Sequence, residues 1–349
     1  MSTPVVQGLP LHTRSLTVSL SRKSDDRWCA RGDIIDLRKN GFVPSSYDIQ
    51  PAGIIHSMNI ELDLVPETLE MEAIRVDQPF VAVEPSEATR GECCRDPAPR
   101  LLDLAGERLD AAFPKKLTRI FGGPLGCSHL LTLFQLMASA VPRGAEIERA
   151  RASREDTEHA FGDRFFRRAV FIDGLQASRA QTDISVQLSD SATRPFSDET
   201  HSVERLELFH EGKTLATVER KRLQLDRLEV RERSRSAETL TTAPWTDHSE
   251  RLASLVGAPI IPGLAGRIFA LTAADPALGP VQDNLLMFAP GFIQVTAAQM
   301  EGWFEEQARA KSDQTGPTPS AKALGGNSGA CYMWRENGPI QKAGFGETR

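Results

Sequence analysis

One group of side chains in the first half of the chain could do chemistry. The segment Gly126-Cys127-Ser128-His129 brings a thiol and an imidazole together at the start of the apolar stretch 130–141. His56 and the pair Cys93-Cys94 precede it in the chain. An imidazole can accept or donate a proton near neutral pH, and a thiol can act as a nucleophile or a metal ligand. These residue types predict one chemical site in this half.

A helix is predicted to position the thiol and the imidazole. It begins near Ser128, a suitable N-cap residue, and ends where Val141-Pro142 interrupts the apolar pattern. Cys127 and His129 then lie at the positive end of the helix dipole, which favours a thiolate and disfavours an imidazolium. An activated Cys127 beside His129 is typical of a Cys/His hydrolase or acyl transferase, which is one interpretation of the site.

The same side chains could also hold a metal ion. Zinc binds nitrogen and sulfur donors, and His56, Cys94, Cys127 and His129 form a chemically sensible set. The spacing of Cys127 and His129 differs from that of zinc ribbons, no Cys-x-x-Cys pair is present, and nucleotide-binding motifs are absent. We therefore expect no metal and no cofactor. Zinc binding and a non-catalytic small-molecule binding protein are the alternatives.

Length and composition exclude several classes of protein. The chain has 349 residues, a net charge of −6 and a pI near 5.8, so we expect no nucleic-acid partner. No stretch approaches about 20 apolar residues, and no secretory signal is recognised, so we expect no membrane partner and a cytoplasmic location. The five cysteines are irregularly spaced, which indicates free thiols. A homodimer is expected because symmetric dimers are common.

Alternating and helical patterns follow each other in the first half. Period-two alternation predicts strands over Ser15–Leu20 and Trp28–Asp36 and a hairpin over residues 56–76. Apolar residues at helical spacing predict a helix over residues 101–113, before the one that begins near Ser128. Strands followed by helices predict an α+β fold.

The second half repeats this order weakly. Its helical pattern at 282–288 can be laid over residues 127–133 at an offset of 155 (282 − 127), which aligns Asn284 with His129. A hairpin is predicted over residues 204–228. The fold is therefore predicted to have two weakly similar lobes, each made of antiparallel strands followed by two helices. The predicted boundaries are an N-terminal lobe at 1–145, a charged helical linker at 146–162, a C-terminal lobe at 163–310, and a flexible linker with an aromatic tail at 311–349.

Four segments of the first half carry a resemblance to a known family. They are Ile55-His56-Ser57-Met58, Ile74-Arg75-Val76-Asp77-Gln78, Cys94 and Gly126-Cys127-Ser128-His129-Leu130. Their order resembles a bacterial family catalogued as a domain of unknown function. Its members typically show a histidine followed by aspartate or serine and a methionine, a strand ending in Ala-Thr-Asp, a loop cysteine, and Gly-Cys-Thr-His-Leu. The resemblance covers roughly residues 14–142.

The resemblance implies a function. Some longer members of the family are associated with the breakdown of lignin-derived aromatic dimers, including lyases that expel formaldehyde from phenylcoumarans. It therefore implies a cofactor-independent carbon–carbon lyase with a small aromatic substrate, which releases formaldehyde from a hydroxymethyl group and leaves a stilbene. The family pattern occupies only the first half, so the second half and the tail resemble a subset of longer members.

This reaction assigns roles to the candidate residues. It needs a base for the alcohol or phenol proton and an acid for the departing phenoxide. We expect His56 to be the base, oriented by Asp77, and His129 to be the acid or a donor to the phenoxide. The residues expected to line the substrate pocket are Cys94, Cys127, Tyr332, Trp334 and Arg335.

Overall fold

One antiparallel sheet runs through both halves of the chain. The computed structural model describes residues 8–39, 43–45, 48–50, 52–87, 89–196, 203–260, 263–298 and 329–339. The strands and helices of this part are, in chain order, β1 (Leu9–Ser24), β2 (Arg27–Arg38), β3 (Val43–Ser45), β4 (Asp48–Gln50), β5 (Gly53–Leu64), β6 (Met71–Phe80), α1 (Phe113–Phe121), α2 (Ser128–Ala152), β7 (Arg164–Gln176), β8 (Gln181–Thr193), β9 (Leu206–Glu219), β10 (Gln224–Arg235), β11 (Thr246–Asp247), α3 (Leu264–Thr272), α4 (Gly279–Leu286) and α5 (Phe288–Ala298). The main sheet has the strand order β11-β10-β9-β8-β7-β1-β2-β5-β6, and β3 pairs with β4 separately. The predicted α+β fold is confirmed.

The alternation of apolar and polar residues explains the strands. In β1, Leu16, Val18 and Leu20 are fully buried, and the residues between them are partly exposed. Burying each such side chain stabilises the fold by about 1.5–3 kcal/mol. Helices cover the buried face of the sheet, while the other face remains partly exposed to solvent. The strands predicted over residues 15–20 and 28–36 are confirmed as parts of β1 and β2.

The long helix α2 lies against β1, β2, β5 and β7 and carries one of the predicted site residues. It begins at Ser128 with Cys127 as its N-cap, one residue earlier than predicted. The predicted end at Val141-Pro142 is wrong, because α2 continues to Ala152. Pro142 removes one backbone hydrogen bond, but Gly144 and the residue after it are still buried against the sheet. None of the helices in the described ranges has the length and apolar character of a membrane span.

One helical prediction, between β6 and α2, was wrong. Over residues 101–113 the chain forms only a 3₁₀ segment at Ala98–Leu104 and turns, and α1 begins where that prediction ended. Leu101 and Leu104 are buried at the three-residue spacing of a 3₁₀ helix, and Gly106 has a φ of 85° that interrupts further helix. The charged linker over 146–162 is the end of α2 followed by turns.

The two halves share the sheet. β1 and β7 pair in its middle, and the hairpins predicted over residues 56–76 and 204–228 lie on either side as β5–β6 and β9–β10. Most buried apolar side chains of both halves belong to one continuous core. The prediction of two separate lobes is therefore not confirmed, although each half consists of strands followed by helices. The predicted linker at 311–328 lies outside the described residues.

Candidate functional site

On the buried face of the sheet, the apolar side chains give way to polar ones near one end of β1, β2 and β5. On β1, Arg14 and His12 occupy the inward-facing positions next to Leu16, and both are buried. The strand register places Asp36 of β2 opposite Arg14 and His56 of β5 opposite Asp36. Because paired residues of antiparallel strands share a face, the four polar side chains come together beside the start of α2.

Asp36 is the centre of this group. Its side chain has no exposed surface, and its two oxygens accept hydrogen bonds from Arg14 Nε at 2.7 Å and Arg14 Nη2 at 2.9 Å. His12 Nε2 lies 3.4 Å from Asp36 Oδ1. Burial alone would raise the pKa of Asp36, but the positive charge of Arg14 opposes it and holds that pKa well below its usual range. Asp36 is therefore a buried, fully charged carboxylate.

Two imidazole rings face the same oxygen of Asp36. His129 Nε2 lies 2.7 Å and His56 Nδ1 lies 3.5 Å from Asp36 Oδ2, and the ring centroids are 3.8 Å apart. Within the described part of the chain, neither of these two ring nitrogens makes a hydrogen bond of good geometry, although both lie close to Oδ2. We call His12, Arg14, Asp36, His56 and His129 the Asp36 cluster.

His129 carries no charge at neutral pH. Burial and the neighbouring ring of His56 lower the pKa of His129 to about 3, although Asp36 acts in the opposite direction. The position at the helix start also disfavours an imidazolium, as the sequence predicted. His129 can therefore donate a hydrogen bond from a neutral ring, but it does not store a proton at pH 7.

Cys127 is not an activated thiolate, contrary to the expectation from the helix dipole. Its Sγ lies 4.0 Å from Met58 Sδ and 3.9 Å from His129 Nδ1. Burial raises the pKa of the Cys127 thiol to about 12, which outweighs the nearby backbone N–H groups of the helix start. The Cys/His hydrolase interpretation loses its nucleophile, and Cys127 is a buried wall beside His129.

The aromatic tail docks next to this wall. The Tyr332 backbone N–H donates to Gly126 O over 2.8 Å, directly before Cys127. Met333 is buried against Val83, and a small apolar cluster surrounds this pair. The partly buried members of that cluster are Ala82, Cys94, Cys331, Tyr332 and Trp334. The predicted pocket residues Cys94, Tyr332 and Trp334 thus pack in one cluster, and Cys127 follows Gly126, to which the tail bonds.

Arg335 holds the outer side of the tail. Its guanidinium bonds to Glu92 and lies 3.9 Å from the centroid of the Tyr332 ring. A cation over an aromatic ring contributes about 0.5–2 kcal/mol. Burial, opposed by Arg335, raises the pKa of Tyr332. Arg335 therefore fixes Tyr332 in place, and its positive charge is shared with Glu92.

Asp77 does not lie beside His56. It is exposed and pairs with Asn59, whose side chain is on the sheet face opposite to the buried one. The carboxylate beside His56 is Asp36, which the sequence-based reasoning missed together with Arg14. A signal for both was present, since each occupies an inward-facing position in a strand of alternating residues, where a buried charge needs a partner.

Part of the first half of the chain is similar to a known family. Residues 12–142 match a family described as "Protein of unknown function (DUF2889)". The expected domain of unknown function is thereby shown for this part of the chain. The match includes every member of the Asp36 cluster, and it leaves out the second half and the tail. No curated protein and no solved structure matches the chain.

Two groups of residues in the described ranges could hold a metal ion. In the first, Asp36, His56 and His129 offer one ligand atom each, and these atoms lie within 4.8 Å of one another. The second group contains Cys29, Glu61 and Asp63, on the partly exposed face of the sheet. The zinc set suggested by the sequence shares only its two histidines with the first group, because Asp36 stands in place of the thiols.

The second half carries a partial copy of the Asp36 cluster. Adding 154 to the positions 14, 36 and 56 leads to Arg168, Asp190 and His210, which pair across β7, β8 and β9 in the same register. Arg168 bonds to both oxygens of Asp190, at 2.7 Å and 2.8 Å. The helix offset of 155 aligns His129 with Asn284, whereas the strand offset of 154 aligns it with Asp283, which bonds to Arg168. The second half keeps the ion pair and one imidazole, without the helix histidine.

Proposed function

We propose that the protein is a carbon–carbon lyase that releases formaldehyde from a hydroxymethyl group of a lignin-derived aromatic dimer and leaves a stilbene. The observation that carries the proposal is the shared carboxylate of Asp36, against which His56 and His129 are buried. Two imidazoles on one charged carboxylate support proton transfer without a redox group. The proposed class of substrate comes from what the family resemblance of the sequence implies.

The reaction moves one proton and leaves the overall oxidation state unchanged. A base removes the proton of the hydroxymethyl oxygen, whose electron pair forms the C=O bond of formaldehyde while the carbon–carbon bond breaks. The electrons of that bond form the new C=C bond, and the adjacent carbon–oxygen bond of the dihydrofuran ring breaks to give a phenoxide. The phenoxide takes up one proton in place of the one removed, so atoms and charge balance.

The side chains of the Asp36 cluster suit these steps. We assign His56 as the proton acceptor, because the neighbouring carboxylate of Asp36 stabilises the imidazolium that forms. Asp36 thus takes the orienting role that the sequence predicted for Asp77. His129, which is neutral, donates a hydrogen bond to the developing phenoxide. The proposed pocket walls are Cys94, Cys127, Tyr332, Trp334 and Arg335.

The proposal is tested by product formation. Chelator-treated, full-length protein is incubated with a phenylcoumaran that carries a free hydroxymethyl group, and formaldehyde and stilbene absorbance are measured. We expect equal amounts of both products, and a rate at least about 100-fold lower for His56→Ala, as for loss of a general base. His210→Ala, at the matching strand position of the second half, is the control and retains the wild-type rate. Absence of both products from the wild-type protein would overturn the proposal.

The proposal includes a cytoplasmic homodimer. The five cysteines are free thiols, which is typical of a reducing compartment. Symmetric dimers are the commonest soluble oligomers. Light scattering should give twice the chain mass of 38.3 kDa. A mass equal to that of one chain would contradict this part of the proposal and leave the lyase assignment standing.

A further inference from the structure

We propose that Asp36, His56 and His129 bind one divalent transition-metal ion of the zinc class. The inference goes beyond the proposed function, because it concerns the occupancy of these side chains and holds whether or not the protein is a lyase. Each residue offers one ligand atom, and the three atoms lie within 4.8 Å of one another. A single ion, which binds nitrogen and oxygen at about 2.0–2.2 Å, can reach all three after small side-chain rotations.

The donor types and their supports fit such an ion. Two imidazoles and one carboxylate are a common donor set for divalent transition metals and leave coordination positions open. The three ligands come from β2, β5 and α2, so the sheet and the helix hold them. The side chains of His56 and His129 keep 7% and 8% of their surface exposed, which leaves an approach for the ion.

The unsatisfied ring nitrogens are the second observation that points to an ion. His56 Nδ1 and His129 Nε2 are buried, face Asp36 Oδ2, and lack a well-directed hydrogen bond within the described residues. A buried polar atom whose hydrogen bonding is incomplete is energetically unfavourable. An ion among these three atoms would accept both nitrogen lone pairs and one oxygen lone pair, and it would remove this cost.

The neighbours of Asp36 fix its carboxylate in an orientation that suits a metal ligand. Arg14 bonds to both carboxylate oxygens, and His12 lies 3.4 Å from Oδ1, so the carboxylate is fixed with Oδ2 toward the two imidazoles. Metal ligands are usually oriented by such outer partners. The positive charge of Arg14 opposes the binding of a cation, and the negative charge of Asp36 offsets it.

The other ligand sets fit less well. His129 turns Nε2 to Asp36 and Nδ1 to Cys127, so the thiol lies on the opposite side of the ring from the carboxylate. In the group on the exposed sheet face, Arg75 bonds to both Glu61 and Asp63, and Lys23 also bonds to Asp63, so two cations already balance the two carboxylates. The buried group is therefore the stronger site.

An ion at this site competes with the proposed base. It would use the ring nitrogen of His56 that faces Asp36, and the imidazolium required for the lyase reaction could not form next to a bound cation. We therefore expect one equivalent of zinc to inhibit the lyase. Ion binding is measured on the protein itself, so failure of the binding inference and failure of the lyase proposal are distinguishable.

The experiment is a titration of full-length protein from which metal has been stripped with a chelator. Zn²⁺ binding is measured by calorimetry, and Co²⁺ binding is measured by visible absorbance. We expect one equivalent to bind, with a Co²⁺ spectrum of nitrogen and oxygen ligands and without a thiolate charge-transfer band. His56→Ala and His129→Ala should each weaken binding by at least about 100-fold, the upper end of the effect of losing an outer partner. Cys127→Ser and Cys29→Ser are the matched controls and should bind as the wild type does.

Each other outcome overturns the inference. Failure of the wild-type protein to bind Zn²⁺ or Co²⁺ means that the three side chains form no metal site. A thiolate band, or loss of binding in Cys127→Ser or Cys29→Ser, assigns the ion to a different set of ligands. The wild-type spectrum decides between these sets even if a histidine variant fails to fold.

Discussion

His129 Nε2 lies 2.7 Å from Asp36 Oδ2, although Asp36 is on β2 and His129 is at the start of α2, four strands and one helix later in the chain. The contact joins the long helix to the sheet through a polar pair inside a mostly apolar interface. Arg14 holds the other side of the same carboxylate. The charged carboxylate of Asp36 lies between His129 and Arg14 inside the core. A substitution at Asp36 should therefore change both the activity of the site and the stability of the fold.

The first prediction compares two aspartates. Asp36→Asn removes the charge that compensates the buried Arg14, and we expect the free energy of unfolding to fall by about 3–5 kcal/mol. Asp77→Asn, on the exposed sheet face, is the control and should change it by less than about 0.5 kcal/mol. Urea unfolding followed by circular dichroism measures both. Equal effects of the two substitutions would contradict the placement of Asp36 as the buried partner.

The alternating pattern predicted the sheet better than the site. Period-two alternation located β1 and β2, because only one face of each strand is covered by helices. The same alternation places Asp36 on the inward face, but Asp36 was the last residue of the predicted strand and no buried charge was expected there. Asp77 was assigned its role from the resemblance, and only the register, which pairs it with Asn59, shows that it faces away from His56.

The helices were harder to predict because packing decided their limits. Pro142 is a helix-breaking signal, but the buried face of α2 continues beyond it as far as Arg151. The loss of one hydrogen bond at a proline is a local cost, and burial along the rest of the helix offsets it. The thiol of Cys127 shows the same limit of local reasoning, because the helix dipole was visible in the sequence and the burial was not.

The second prediction concerns the close contact of α2 with the sheet. A Cβ at Gly144 would lie 2.7 Å from both Leu20 and Phe166, so Gly144→Ala forces the helix away from β1 and β7. We expect the free energy of unfolding to fall by about 1–3 kcal/mol because of this overpacking.

Gly266→Ala in α3 is the matched control, since nothing lies within 4 Å of its Cβ position. It should stabilise the protein by up to about 1 kcal/mol through helix propensity. Thermal unfolding of both variants checks the pair.

The third prediction is a pH dependence that arises in the second half. Burial lowers the pKa of His210 below its usual value of 6.5, although Asp190 and Glu232 act in the opposite direction. The unfolded chain therefore binds a proton at this residue at a higher pH than the folded chain does. Its contribution to stability is complete above about pH 6.5 and decreases as the pH falls below that value.

His210→Gln removes this contribution. We expect the variant to lose less of its free energy of unfolding than the wild type does between about pH 8 and about pH 5.5. Urea unfolding at several pH values within this range measures the difference. The same slope in both proteins would mean that His210 titrates in the folded protein as it does in the unfolded chain.

The fourth prediction tests how the tail is held beside the site. Met333 is 2% exposed and packs on Val83, and it is the one member of the tail that is buried in their shared cluster. Truncating a buried methionine to alanine costs about 2–5 kcal/mol, which is a large part of what a short docked segment can gain. Met333→Ala should therefore release the tail, and Cys331 should react faster with a thiol reagent, as mass spectrometry of the labelled peptides will show.

Glu336→Ala, at an exposed position of the same segment, should leave that rate unchanged. Cys29 lies on the partly exposed face of the sheet and does not belong to the tail cluster, so its rate serves as an internal reference. Equal acceleration at both cysteines would indicate global unfolding instead of tail release.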